Sequence, residues 1–365
     1  LQGDFAASRA AYAAAIAACR EQDEQAVVSL SDLAAKSTAL VLNDNAIPYT
    51  ADGYERVMLH HGQALNFLLS GDPESAGVEA RRAAAEQAEA RRRRARELEA
   101  ARTRSRELPR TADARLAPVY SRLDAAASRV ANSFQNGYTY FLSAVIREQV
   151  DDPGGAFIDY KRAAELAPGN PTLRADVLRL AEALGMEEDA RRYRDLWPEA
   201  GPVRRMPGEA DLIVLFEDGV LPARRELSLF IPLTGSGGWT AIALPVYDGP
   251  WIRPRPLRVR VEDGPSGETA PVCDLGALAA RALRERMPAI LIRQTLRAAA
   301  KGAATHLAHT RTRDGEWAVM FLTLYNLLSE RADLRSWISL PQQAGVLRLA
   351  CPAGRRRIRL APDGG

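Results

Sequence analysis

The sequence predicts an α+β protein, with an N-terminal array of α-helical hairpins followed by a C-terminal domain in which a mixed β-sheet packs with two helices. Three observations predict it. Apart from residues 79–107, apolar residues recur every three or four positions as far as about residue 200. Residues 201–208 are then rich in Pro and Gly. Beyond them the apolar period shortens toward two, as in strands. The expected organisation is therefore a helical domain over residues 1–200, a linker over 201–208 and an α+β domain over 209–365. A chain of 365 residues is long for a single core, which agrees with two domains.

Composition narrows the function classes. Apolar residues make up 47% and charged residues 26%, a globular balance. The net charge of +3 combines 49 basic with 46 acidic groups, so no global excess points to nucleic acid. Cys19, Cys273 and Cys351 form no CxxC pattern and no Cys/His pair, so zinc is not expected. Their odd number leaves free thiols as the expectation and a Cys273–Cys351 bridge as the alternative. No apolar run is long enough to cross a bilayer. The chain opens at Leu1 without Met, which reads as a processed or trimmed N-terminus.

The first helix is expected from Asp4, a capping residue, to Cys19, with Phe5, Tyr12 and Ile16 near one face and small alanines elsewhere. A second should run from about Ser31 to Leu42. Asn43, Asp44 and Asn45 then favour a turn, because their short side chains bond nearby backbone, and Pro48 stops any helix. With Tyr49 they read as a structural junction. Asp52 caps the next helix, and Gly71-Asp72-Pro73 ends it and opens its partner at Glu74.

Residues 79–107 hold ten Arg, six Glu and a single large aliphatic residue, Leu98. Good helix formers with Glu–Arg pairs at helical spacings predict a solvated helix of roughly 43 Å at 1.5 Å per residue. Interleaved glutamates and missing aromatics argue against nucleic acid at Arg91–Arg94.

The hairpin pattern returns at 132–149, turns at 151–155 and closes at Pro168-Gly169-Asn170-Pro171. Its second helix, AFIDYKRAAELAPGNP, resembles a tetratricopeptide repeat, with Ala156, Tyr160, Ala163 and Pro168 at the small, aromatic, small and proline positions. Leu173–Leu184 and Glu187–Leu196 supply one more hairpin. Such hairpins must stack, since one alone leaves a face uncovered. Tyr138 and Tyr160, two of the aromatic residues of this unit, are candidates for an interaction or domain interface.

In the second domain, Leu212–Phe216 is a fully apolar run consistent with a buried strand. Glu226–Leu233 and Trp239–Val246 flank a hairpin loop at Gly235-Ser236-Gly237-Gly238, and Leu257–Val261 alternates as a half-exposed strand. Asp274 caps a long helix to about His309, kinked or divided at Pro288, and Glu316–Arg331 is a second helix. Val346–Ala350 and Arg356–Leu360 read as a closing hairpin around Pro352-Ala353-Gly354.

No constellation carries chemistry. His60 and His61 point about 100° apart on a helix, so one is expected to pack and the other to face solvent. His306 and His309 share a face but lack further ligands. The Asn43–Asn45 loop is too short to ligate calcium alone. The glycine loop lacks the Lys of a phosphate loop, and Ser236 lacks a GxSxG frame. No metal or cofactor is expected. Arg335, Ser336 and Trp337 are the strongest interface candidates, because a loop Trp beside Arg suits a packed contact or external recognition.

Several pieces together resemble a family of uncharacterised bacterial lipoproteins containing tetratricopeptide repeats. They are LVLNDNAIPY (40–49), YERVMLHHGQALNFLLSGDPESAGVEARR (54–82), the repeat over 138–171, LIVLFEDGVLP (212–222), ERMPAILIRQTLRAAAK (285–301) and RADLRSWISLP (331–341). The resemblance implies export, an N-terminal lipid anchor, and residence at the periplasmic face of the outer membrane. It implies no catalytic residues. Partners would be envelope proteins, among them cell-wall-synthesis or outer-membrane lipoproteins. The expected function is a non-enzymatic scaffold binding another protein through its helical array. The alternatives are a structural subunit of a larger envelope assembly, a ring or a filament, with a homo-oligomer as a further partner expectation, and, behind it, a cell-wall-acting enzyme.

Overall fold

The computed structural model describes residues 3–28, 48–104, 121–201, 206–232, 239–311 and 331–362. The expected helix at 31–42, the Asn43–Asn45 turn, the Gly235–Gly238 loop and residues 316–330 of the expected last helix lie outside the described residues.

Helices α1 (Phe5–Val28), α2 (Gly53–Leu69) and α3 (Pro73–Arg104) pack in succession. Asp52 N donates to Glu55 Oε2 at 2.7 Å, one half of a capping box that starts α2. Gly71, at φ 77°, makes the tight reversal, and Asp72 Oδ1 accepts from Ser75 N to open α3. Helix α3 is one continuous rod, and it is not solvated all round. Ala76, Glu79, Ala80, Ala83 and Gln87 are buried along one stripe. Gln87 Oε1 accepts from Asn136 N at 2.9 Å, and Arg94 Nε lies 3.0 Å from Glu285 Oε2. Small and polar groups thus replace the missing aliphatic seam.

Helices α4 (Gly137–Gln149), α5 (Pro153–Leu166), α6 (Pro171–Ala183) and α7 (Glu187–Leu196) follow, each against the next. Asn136, Asp152 and Asn170 cap the first three by accepting from Thr139 N, Gly155 N and Leu173 N. Pro153 and Pro171 take the first helical positions, where a missing N–H is harmless.

The strands are β1 (Glu209–Asp218), β2 (Arg224–Pro232), β3 (Trp239–Tyr247), β4 (Leu257–Val261), β5 (Ser266–Glu268), β6 (Ala270–Asp274), β7 (Gln343–Pro352) and β8 (Ile358–Pro362). They make three sheets, ordered β1-β7-β6, β2-β3 and β5-β4-β8, and every described pairing is antiparallel rather than mixed. The expected closing hairpin does not form. Strand β7 inserts between β1 and β6, while β8 pairs with β4, so each finds a partner far away in sequence.

Strand β1 explains its own unbroken apolar run. Leu212, Val214 and Phe216 pack toward Leu257 and Val259 of β4, whereas Ile213 and Leu215 pack toward the helices. Both sides are covered, although only in part, so the strand is half-buried rather than fully buried. Helix α8 (Leu275–Arg311) runs through Pro288 as one element, not divided there. Its Gln294 Nε2 donates to Ala243 O of β3. One hydrophobic core joins the helices to the sheets, from Phe141, Tyr160 and Leu173 to Leu244, Leu278 and Val346.

Candidate functional site

Two seams of buried charge tie the helices to the strands. In the first, Asp52 at the start of α2 holds Arg224 of β2 at 2.7 Å and Arg286 of α8 at 2.5 Å. Burial raises the Asp52 carboxyl, but Arg286 and Arg224 outweigh it and hold the pKa below the ordinary carboxylate value. Arg224 also donates to Tyr247 OH and to Arg335 O. Its neighbour Glu55 accepts from Tyr49 OH at 2.5 Å, Asp52 N at 2.7 Å and Trp337 N at 2.8 Å. Burial and the nearby Asp52 charge push the Glu55 carboxyl up.

In the second seam, Arg348 of β7 reaches into the helical array. Its Nη1 lies 2.6 Å from Asp211 Oδ2 and its Nη2 lies 2.9 Å from Glu148 Oε1. Tyr160 OH accepts from Arg348 and donates to Glu148. Arg348 Nε is 3.0 Å from Asp176 Oδ1, and Arg179 braces Glu148 and Asp176 from the other side. Burial pushes the Asp176 carboxyl up; in Glu148 the hydrogen bond from Arg179 and the Arg348 charge overcome burial and pull it down.

These seams locate the residues singled out in the sequence. Tyr138 and Tyr160 are buried, the first donating to Glu217 of β1, the second bonded to Arg348 of β7. Both hold helix to strand and neither is open to a partner. Arg335 pairs with Asp333 and lies over the Tyr49 ring, Ser336 is half-buried, and Trp337 sits 6.0 Å from the Tyr12 ring. Pro48 is exposed beside Tyr49. His60 and His61 are both buried, contrary to the expectation that one faces solvent, because His60 meets Glu79 of α3 and His61 meets Tyr138 and Thr139 of α4. The three thiols are free, so no Cys273–Cys351 bridge forms; Cys273 is opposite Ala344 and Cys351 opposite Ala210. Among the described residues, no group of three His, Cys, Asp or Glu is placed to hold a metal ion.

Beside the first seam lies a groove of about 410 Å³ between α1, α2 and the Trp337 turn. Tyr12, Ala15, Cys19, Tyr49, Leu59 and Trp337 line it. The small alanines of α1 leave room for it, and the aromatic rings give it flat apolar walls. Glu55 is its polar floor, already taken by Tyr49, Asp52 and Trp337. No family model, curated protein or solved structure matches the chain. The functional reading therefore starts from this geometry.

A second cavity, of about 440 Å³, lies between the array and β6. Asn170 and Asp274 in its lining are engaged in the fold, whereas both side-chain amide atoms of Gln343 are buried without a hydrogen-bond partner among the described residues. Asn170 donates to Ala270 O and Pro271 O, while Asp274 caps Ala277 and pairs with Arg129. The sequence missed Glu55, Arg224 and Arg348. For Glu55 the available signal was its place three residues after the cap Asp52; Arg224 and Arg348 gave none, since their partners Asp52, Glu148 and Asp176 lie far along the chain.

Proposed function

We propose that the chain is a non-enzymatic scaffold that holds a segment of a partner protein in the groove between α1, α2 and the Trp337 turn. The observation that carries this reading is the groove's chemistry: aromatic rings and small apolar side chains over a floor whose one carboxyl is fully bonded. Rigid aromatic walls favour recognition by burial, since little side-chain freedom is lost on binding. Asp52 in the first seam and Glu148 and Asp211 in the second face arginines, an arrangement suited to joining elements rather than to shuttling protons. The same reading has the scaffold at the bacterial envelope, with a cell-wall-synthesis or outer-membrane lipoprotein as partner. Its support is the family resemblance carried by residues 40–49, 54–82, 138–171 and 331–341.

A photoreactive residue at Ala15, inside the groove, tests this in cells, with Ile158 on the exposed side of α5 as the control. An envelope protein captured from Ala15 and not from Ile158 is expected, and Trp337→Ala should weaken the capture. No protein captured from Ala15, or equal capture from both sites, overturns the reading.

A further inference from the structure

The sheet β5-β4-β8 ends on β8, whose five residues are all exposed. Leu360 keeps 59% of its surface exposed and Ile358 42%, although both are large and apolar. An edge strand of this kind presents free backbone groups to any chain that can align with it.

One bond gives the phase of that edge. Glu262 N donates to Arg357 O at 2.9 Å, so this pair bonds across β4–β8. Inward-bonding residues alternate in an antiparallel ladder, which assigns Arg359 and Ala361 to β4. Ile358 and Leu360 therefore turn their N–H and C=O groups outward.

The side chains give the chemistry of what would fit. On one side of the sheet, charged rows cross the strands. Arg258 pairs with Glu268 at 3.1 Å, and Arg357 with Glu262 at 3.6 Å. Between them Arg260 stands directly opposite Arg359, and neither has an acidic partner among the described residues. Like charges directly opposed across strands are unfavourable, so this row lacks the carboxylate its neighbours have. On the other side, Val259 and Val261 are buried, while Leu360 and Ile358 opposite them overhang without cover.

We propose that β8 is a docking edge for an extended segment of a partner protein, added as an antiparallel fourth strand in which apolar and acidic residues alternate. The apolar residues stand opposite Leu360 and Ile358 and exchange backbone bonds with them. The acidic residue between them stands opposite Arg359 and completes the row. A second copy of β8 fits poorly, because Ile358–Pro362 carries no acidic side chain and would add its own arginine to the row. An anionic lipid surface would meet the arginines but leave the outward N–H groups unbonded. The edge shares no residue with the Tyr12–Trp337 groove, so it stands or falls separately from the scaffold reading.

The test uses the full chain and an end-blocked heptapeptide alternating Glu and Val, followed by fluorescence anisotropy. Binding is expected, and Arg359→Glu should weaken it by at least about tenfold. N-methylation at the Val positions should abolish it, since those N–H groups face β8, whereas N-methylation at the Glu positions should leave it nearly unchanged. These peptide variants keep the proposal falsifiable even if Arg359→Glu disturbs the sheet. Loss from both methylated peptides alike, or from neither, overturns it. So does a β8-mediated dimer that forms without the peptide and excludes it. Failure of the peptide to bind, with phosphatidylglycerol vesicles binding instead, overturns it in favour of a lipid surface.

Discussion

His60 and His61 are neighbours in the chain with different partners. His60 Nδ1 lies 2.6 Å from Glu79 Oε2, an ion pair when protonated. The His61 ring lies tilted against the Tyr138 ring, centroids 4.3 Å apart, and its Nδ1 lies 3.3 Å from Thr139 Oγ1. No carboxylate faces it among the described contacts, and burial pushes its pKa from 6.5 down to about 3. Between those values the unfolded chain binds the proton and the folded chain does not. The sign follows: stability contributed by neutral His61 is complete above the unfolded pKa and is lost as pH falls toward 3. From pH 7 to pH 5 the site should cost about 2 kcal/mol. His61→Gln retains a polar contact but cannot titrate. Urea midpoints at the two pH values should therefore fall further for the wild type than for the variant, and equal falls would show that His61 is already charged when folded.

The elements divide sharply into those legible in the sequence and those not. Asn136, Asp152 and Asn170, with Pro153 and Pro171 after two of them, cap the helices by local chemistry. Yet the expected starts at 132, 156 and 173 differ from the observed first residues Gly137, Pro153 and Pro171, because apolar spacing and not the cap sets those expectations. Strand β4 shows its alternation directly, with Leu257, Val259 and Val261 inward and Arg258 and Arg260 outward. Strands β7 and β8 show their existence but not their partners, because pairing depends on surfaces that meet only after folding. The stripe on α3 was hidden for a related reason: Glu79 and Gln87 are polar residues made inward-facing by His60 and Asn136. Of the groove's lining the sequence singled out Tyr49 as part of a junction and Trp337 as an interface candidate, but nothing in it brought them together with Tyr12 and Leu59. Where α4 meets β6 the approach is closest. A Cβ on Gly137 would stand 2.5 Å from Val272 O, a backbone atom that cannot swing aside. Gly137→Ala should therefore push the array off the sheet and lower stability by about 2 kcal/mol or more. Hydrogen exchange should quicken at β6 and the first turn of α4, and a variant as stable as the wild type would mean that the seam slides freely.

Across the whole molecule, the Pro- and Gly-rich residues near 201–208 do not separate two cores. The same apolar cluster holds Phe141, Tyr160 and Leu173 from the helices and Leu244, Leu278 and Val346 from beyond the linker. Arg348 crosses the same boundary, its charge matched by Glu148 and Asp176 on helices and by Asp211 on β1. Either half alone would expose apolar surface and leave ions buried without partners, so the halves should unfold together. Two probes can follow them separately. Helical circular dichroism reports mainly the array, whereas four of the five tryptophans, Trp239, Trp251, Trp317 and Trp337, lie after the linker and report the strand-bearing part. Both should give one coincident urea transition. Arg348→Ala strands Asp211, Asp176 and Glu148 and should lower stability by about 3–5 kcal/mol. Because the arginine belongs to both parts, the two signals should move down in step. Two resolved transitions in the wild type, or a fluorescence midpoint that falls while the helical one stays, would show that the array folds independently of the sheet it carries.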